Sequence, residues 1–190
     1  MLFALRWFYR DRFGATELGY WLAANRISDM STQLLGLFML QLFVPRLASC
    51  GSQSERTRLI VRYGAAGAFF TGAVLMTFLV AARLLIHLFL SDAFLPAIPA
   101  IGLYMVGDFL RVWVSLAMFA AFASGRPGRY AAIEIFTLTA MAVLTVAITS
   151  SGEVRGPQIA YAAAYGVTAA ALAASLLLRP RAFSRASLAS

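Results

Sequence analysis

The sequence contains no lysine; all sixteen of its basic residues are arginine, set against eight acidic residues. It has one cysteine, Cys50, and one histidine, His87. A lone cysteine excludes an intrachain disulfide, and one Cys with one His cannot supply an ordinary zinc site. Charged residues are scarce at 13%, where soluble domains carry about 25%. Apolar residues take their place: the chain is 61% hydrophobic with a mean hydropathy of +0.78, against about 45–50% apolar in soluble domains. The expected fold class is therefore all-α integral membrane, and 190 residues allow one bundle of a few helices. The formal net charge is +8. Its arginines are spread between apolar runs, so anionic headgroups and topology explain them, and nucleic acid is not an expected partner.

Taken in order, Met1 to Leu5 is too short for the apolar core of a signal peptide, and Arg6, Arg10, Asp11 and Arg12 follow at once. Trp7, Phe8, Tyr9 and Phe13 among those charges suit a periplasmic or interfacial lead-in over residues 1–17. Five apolar stretches then predict a transmembrane bundle over 18–178, with spans at about 18–44, 63–82, 97–124, 130–150 and 157–178. Pro45 is expected to end the first, and Ala48 to Arg62 reads as a polar loop. Gly64, Gly67 and Gly72 in the second are spaced for close helix contact. Arg83 interrupts, and the apolar piece Leu84 to Leu90 is too short to span alone. Gly125 to Arg129 is a tight turn, and Pro157 suits a first helical turn. Residues 179–190 form a cytoplasmic tail. Net loop charge alternates +3, 0, +2, 0, +3 along the chain, the positive-inside pattern with the N-terminus outside and the C-terminus in the cytoplasm.

Charges inside the spans are the candidate functional residues. Asp108 and Arg111 lie three apart near the middle of the third span, and Arg26 and Asp29 repeat that spacing in the first. Each costs roughly 2.5–3.5 kcal/mol at membrane depth on insertion scales, so it should face protein or a wet cavity. Glu134 stands about one turn inside the fourth span; Tyr20, Trp21, Asn25 and Gln33 add aromatic and polar groups in the first. A structural role competes at each place. The charge pairs would satisfy each other and lock helices together. Glu134 would answer Arg126 or Arg129, and Tyr20 and Trp21 would anchor the interface.

Gly19-Tyr20-Trp21, Arg26-Ile27-Ser28-Asp29 and Pro45-Arg46-Leu47 resemble a segment of the Wzx-type flippases of the multidrug/oligosaccharidyl-lipid/polysaccharide exporter superfamily. Later pieces resemble them in the same order: Phe89-Leu90-Ser91 with Phe94-Leu95-Pro96, Gly107-Asp108, Gly125 before Tyr130, Glu134-Ile135, and Gly156 with Ala160-Tyr161 and Tyr165. The similarity is greatest to the branch serving enterobacterial common antigen. It implies the C-terminal half-bundle of a MATE/Wzx-type transporter, matching the loop before the eighth helix through the twelfth, without the first half and seventh helix. The implied place is the bacterial inner membrane. The implied substrate is an undecaprenyl-pyrophosphate-linked oligosaccharide, moved to the periplasmic leaflet for O-antigen, enterobacterial common antigen or exopolysaccharide biosynthesis. Membrane lipids, polysaccharide polymerase machinery and a missing N-terminal half are the other implied partners. No bond is made or broken, so neither enzyme activity nor a cofactor is expected. Arg26 and Arg111 would pair with pyrophosphate; Asp29, Asp108 and Glu134 would neutralise them or carry protons; Tyr20, Trp21, Asn25 and Gln33 would meet sugar.

Two other classes compete. A membrane glycosyl- or acyltransferase would need an exposed carboxylate or His cluster, and the sequence offers one His and no DxD or His-Asp motif. The other is a non-transporting scaffold from a truncated gene: half of a two-lobed transporter has no opposite wall for its cavity, so the chain alone is not expected to complete transport.

Overall fold

The computed structural model describes residues 2–89 and 91–177, and every regular element among them is helical. Four stretches are long and apolar enough to cross a membrane: Phe3–Ala48, Gln53–Phe78, Asp92–Ala123 and Pro127–Ser150. The elements in order are α1 (Leu2–Phe38), α2 (Val44–Ala48), α3 (Gln53–Phe89), α4 (Ile98–Ala123), α5 (Pro127–Ser150) and α6 (Gly156–Leu177). The expected fifth span falls on α6, which is not among the four stretches; its last residue, Leu178, and the expected tail 179–190 lie outside the described residues.

Gly14 divides α1, with φ 89° and ψ 175°, a conformation that a Cβ would strain. Before it, a short amphipathic helix turns Leu5 and Tyr9 inward and leaves Phe3 and Trp7 exposed. That helix is tied to the α5–α6 turn. The Tyr9 hydroxyl donates to the Val154 carbonyl at 2.6 Å. Arg12 Nη2 donates to the Ser150 carbonyl at 2.7 Å, placing a cation on the last residue of α5, where unpaired carbonyls collect.

Pro45 does not end the first helix. The chain widens into a π-turn at Met39–Phe43, where the Val44 N–H donates to the Met39 carbonyl, and then continues to Ala48. The wider turn accommodates a ring that would collide with the carbonyl four residues back and that offers no N–H. The expected polar loop is also short, because α3 begins at Gln53. Ser52 Oγ accepts the Glu55 N–H at 3.2 Å, and Glu55 Oε2 accepts the Gly51 N–H at 3.3 Å. These bonds satisfy donors that a helix start leaves open. At 37 residues α3 is about 55 Å long, well beyond a hydrocarbon core of about 30 Å, so its polar first turns extend past it. Leu84 to Phe89 continues the same helix.

Helix α4 is central and packs against α1, α3, α5 and α6. Close approach depends on small residues. A Cβ on Gly64 or Gly67 would meet Trp113 or Val112 of α4 at 2.9 Å, while one on Gly72 would meet nothing within 4 Å. At Gly107 a Cβ would run into the Tyr161 ring, so α4 and α6 touch backbone to ring beside Asp108. Thr137 and Thr168 join α5 to α6, oxygen to oxygen at 3.1 Å.

Candidate functional site

Asp108 is 1% exposed, buried where α1, α4 and α6 meet. Its Oδ1 accepts the Ser28 hydroxyl at 2.8 Å and the Tyr161 hydroxyl at 2.7 Å. Arg111, one turn along α4, is half-buried. Its Nη1 donates to Thr32 Oγ1 at 3.3 Å and to the Tyr161 oxygen at 3.2 Å, and its guanidinium carbon lies 5.7 Å from the Tyr165 ring centre. Asp108 and Arg111 therefore do not form a direct ion pair among the described residues. Tyr161 joins them, accepting from the cation and donating to the carboxylate.

This geometry leaves the guanidinium underused. It carries five N–H donors in a fixed fork, yet Nη2 and Nε have no hydrogen-bond partner among the described residues. Arg111 lines a cavity of about 200 Å³ together with Ser115, Tyr130, Glu134, Thr137 and Tyr165. Glu134 is exposed and shares that cavity wall. A cation, a carboxylate and hydroxyls thus face one space at the depth of the apolar spans, an arrangement that can accept an anionic group bearing hydroxyls.

Tyr20 and Trp21 belong to a second cavity, of about 480 Å³, shared with Tyr9, Glu17, Glu153 and Gln158. Trp21 is 6% exposed and does not reach out as an interfacial anchor; its Nε1 donates to the Tyr104 hydroxyl at 2.6 Å. Tyr20 is half-buried and meets Phe94 edge-on, with ring centres 6.0 Å apart. Ring contacts and the Trp21–Tyr104 hydrogen bond together link the cavities. Tyr9 packs on Trp21 at 4.9 Å between ring centres, Tyr104 on Tyr161 at 4.9 Å, and Tyr161 on Tyr165 at 4.9 Å.

The remaining candidates stand apart. Asn25 donates to Asp29 Oδ2 at 2.7 Å along one face of α1. Arg26 and Gln33 are exposed, with no hydrogen bond or ion pair to any described residue. They lie across α1 from Ser28 and Thr32, which serve the buried network, so the structure does not bring Arg26 to Asp108 and Arg111. Tyr161, Tyr165 and Tyr104 were not expected as site residues. Their signal in the sequence is weak: two tyrosines four apart on an Ala-rich helix, facing a Gly-Asp pair on another. Comparison with protein-family models, curated proteins and solved structures finds no match for this chain.

Proposed function

We propose that the chain forms one wall of a flippase that carries a lipid-linked oligosaccharide, an undecaprenyl-pyrophosphate-linked headgroup, across the bacterial inner membrane. The observation that carries this reading is Arg111, a half-buried cation whose Nη2 and Nε have no hydrogen-bond partner among the described residues, on the wall of a cavity inside the apolar spans. Phosphate oxygens match Nη2 and Nε bidentately, and the guanidinium carbon lies 5.7 Å from the Tyr165 ring centre. Glu134, in the same wall, neutralises the cation when no headgroup is bound or takes a proton during transport. The second cavity, with Tyr20, Trp21 and two carboxylates, suits sugar hydroxyls and rings.

In this proposal α6 is the fifth span, the N-terminus is periplasmic and the C-terminus cytoplasmic, as the loop charges suggest. A transferase is the weaker reading. His87 and Asp92 do form a pair at 2.8 Å, but their side chains are 72% and 69% exposed, and no nucleophile among the described residues is bonded to either. The test is complementation of a flippase-deficient strain. Co-expression of this chain with an upstream half-transporter should restore surface polysaccharide, and Arg111→Ala should abolish the rescue at equal expression. Full rescue by Arg111→Ala would discard the site. Full rescue by the chain alone would show that no second wall is needed.

A further inference from the structure

The second cavity is built from the ends of elements. Its walls come from the lead-in helix and the first turns of α1 after Gly14, the residues around the start of α4, and the turn between α5 and α6. The candidate span Pro127–Ser150 ends beside it and Asp92–Ala123 begins beside it, so the cavity stands at headgroup level when those spans cross a membrane.

Its polar groups are left open. Gln158 lines the cavity and is 2% exposed, yet neither its Oε1 nor its Nε2 has a hydrogen-bond partner among the described residues. A buried amide is ordinarily bonded, so this one calls for an explanation. Two carboxylates share its wall. Glu17 has no ion pair among the described residues, and Glu153 accepts only the Arg155 N–H, at 3.1 Å. Arg155 is exposed on the same wall and pairs with neither.

A ligand that completes this set must donate. Both carboxylates and the Gln158 oxygen accept hydrogen bonds, and the carboxylates outnumber the one arginine of the wall. Tyr20, half-buried there, adds a ring, whose face attracts a cation. A metal ion is a poor occupant, because no three His, Cys, Asp or Glu side chains come together to hold one among the described residues. A primary ammonium brings its charge together with three N–H donors.

We propose that this cavity selects a primary ammonium group, held by Glu17, Glu153 and Gln158 beside the Tyr20 ring. Two carriers present one at this level: an amino sugar of a transported headgroup, and the phosphoethanolamine headgroup of a membrane lipid. The hydroxyl or phosphate near the amine has Arg155 as its donor. This selectivity deepens the use of the cavity for sugar, and rests on that reading for the first carrier alone.

Binding to the purified full chain in detergent tests it, at a pH where amine and carboxylates are both charged. Glucosamine is set against glucose, which has a hydroxyl in place of the ammonium. Short-chain phosphatidylethanolamine is set against phosphatidylcholine, which keeps the charge and has no N–H. In at least one pair the amine should bind about tenfold or more tightly than its counterpart. Glu17→Gln with Glu153→Gln should cut that preference to within about twofold. Gln158→Met, similar in shape but without the amide, should weaken the amine by about tenfold. Preference in the sugar pair alone names the sugar as carrier, and preference in the lipid pair alone names the lipid. No preference in either pair, a preference that survives the double variant, or displacement of the amine by an equal concentration of sodium ion would overturn the ammonium site. Equal, saturable binding of glucose and glucosamine would remove the ammonium and keep the cavity for sugar. Arg111→Ala should leave the preference unchanged, and the double variant should bind undecaprenyl pyrophosphate as the unaltered chain does, so the two sites fail separately.

Discussion

The Tyr161 hydroxyl donates to Asp108 Oδ1 at 2.7 Å, bringing together residues 53 positions apart in the chain. The same oxygen accepts from Arg111 at 3.2 Å. One phenol therefore donates to a buried carboxylate and accepts from a guanidinium whose Nη2 and Nε have no hydrogen-bond partner among the described residues. Tyr161→Phe keeps the ring and its stacking but removes both bonds. Leaving buried polar groups short of a partner costs about 1–3 kcal/mol, so unfolding of the purified protein in detergent should shift by that amount. Asp108→Ala combined with Tyr161→Phe should cost less than the sum of the two single changes, because each alone removes the same Tyr161–Asp108 bond. Strict additivity would mean that the 2.7 Å contact has no energetic weight.

Arg111 and lysine are not equivalent at this cavity. Arg111→Lys keeps the charge but loses the fork and the stacking on Tyr165. If the free nitrogens take phosphate, binding of undecaprenyl pyrophosphate to the purified chain should weaken by about tenfold or more in Arg111→Lys, equal to about 1.4 kcal/mol. Stability should change by less, since Nη1 alone is bonded to protein among the described residues. The reverse ranking, a large loss of stability with unchanged lipid binding, would mark Arg111 as a structural residue. Fluorescence binding and detergent unfolding on the same preparations separate the two.

Much of the frame was legible because apolar runs are long and charge is scarce. The helical stretches follow the hydropathy, and Gly64 and Gly67 meet α4 closely, as their spacing suggested. Other features needed more local chemistry. The start of α3 was hidden by its charges, which look like loop, although Ser52 and Glu55 stand at capping spacing. Pro45 signals a stop in the sequence, because a π-turn leaves no mark in composition. At the site, the Asp108–Arg111 spacing was visible but the residue joining them was not, since Tyr161 arrives from another helix. Arg26 and Asp29 copy that spacing, which in the sequence sets them beside the first pair. Their helical phase separates them: Arg26 lies about 160° around α1 from Ser28, the residue that reaches Asp108.

Gly107 is required for space. A methyl group there would enter the Tyr161 ring, next to the residue that ring holds. Gly107→Ala should therefore push α6 from α4 and cost about 1–3 kcal/mol, the usual range for overpacking. Gly102→Ala, on the same helix with nothing within 4 Å of the new Cβ, is the control and should be neutral or slightly stabilising. Equal effects from the two changes would show that α4 and α6 are not packed as described.

Gly14 is required for its backbone. Its Cβ would meet nothing within 4 Å, so steric crowding from neighbours plays no part; φ of 89° alone opposes a side chain. Holding alanine in such a conformation costs on the order of 1–3 kcal/mol, and a straight α1 would avoid that cost. Straightening would pull Tyr9 from the Val154 carbonyl and Arg12 from the end of α5, opening the second cavity at its lead-in side. Leu5 reports on this, being 7% exposed with the break in place. With Cys50→Ser and Leu5→Cys as the background, Gly14→Ala should raise the rate of labelling by a water-soluble maleimide about tenfold, the change that about 1.4 kcal/mol of destabilisation produces in the open population. Trp7→Cys, already 66% exposed, should label at the same rate with or without Gly14→Ala. An unchanged rate at Leu5→Cys would mean that the tie to the α5–α6 turn holds the lead-in without help from the glycine.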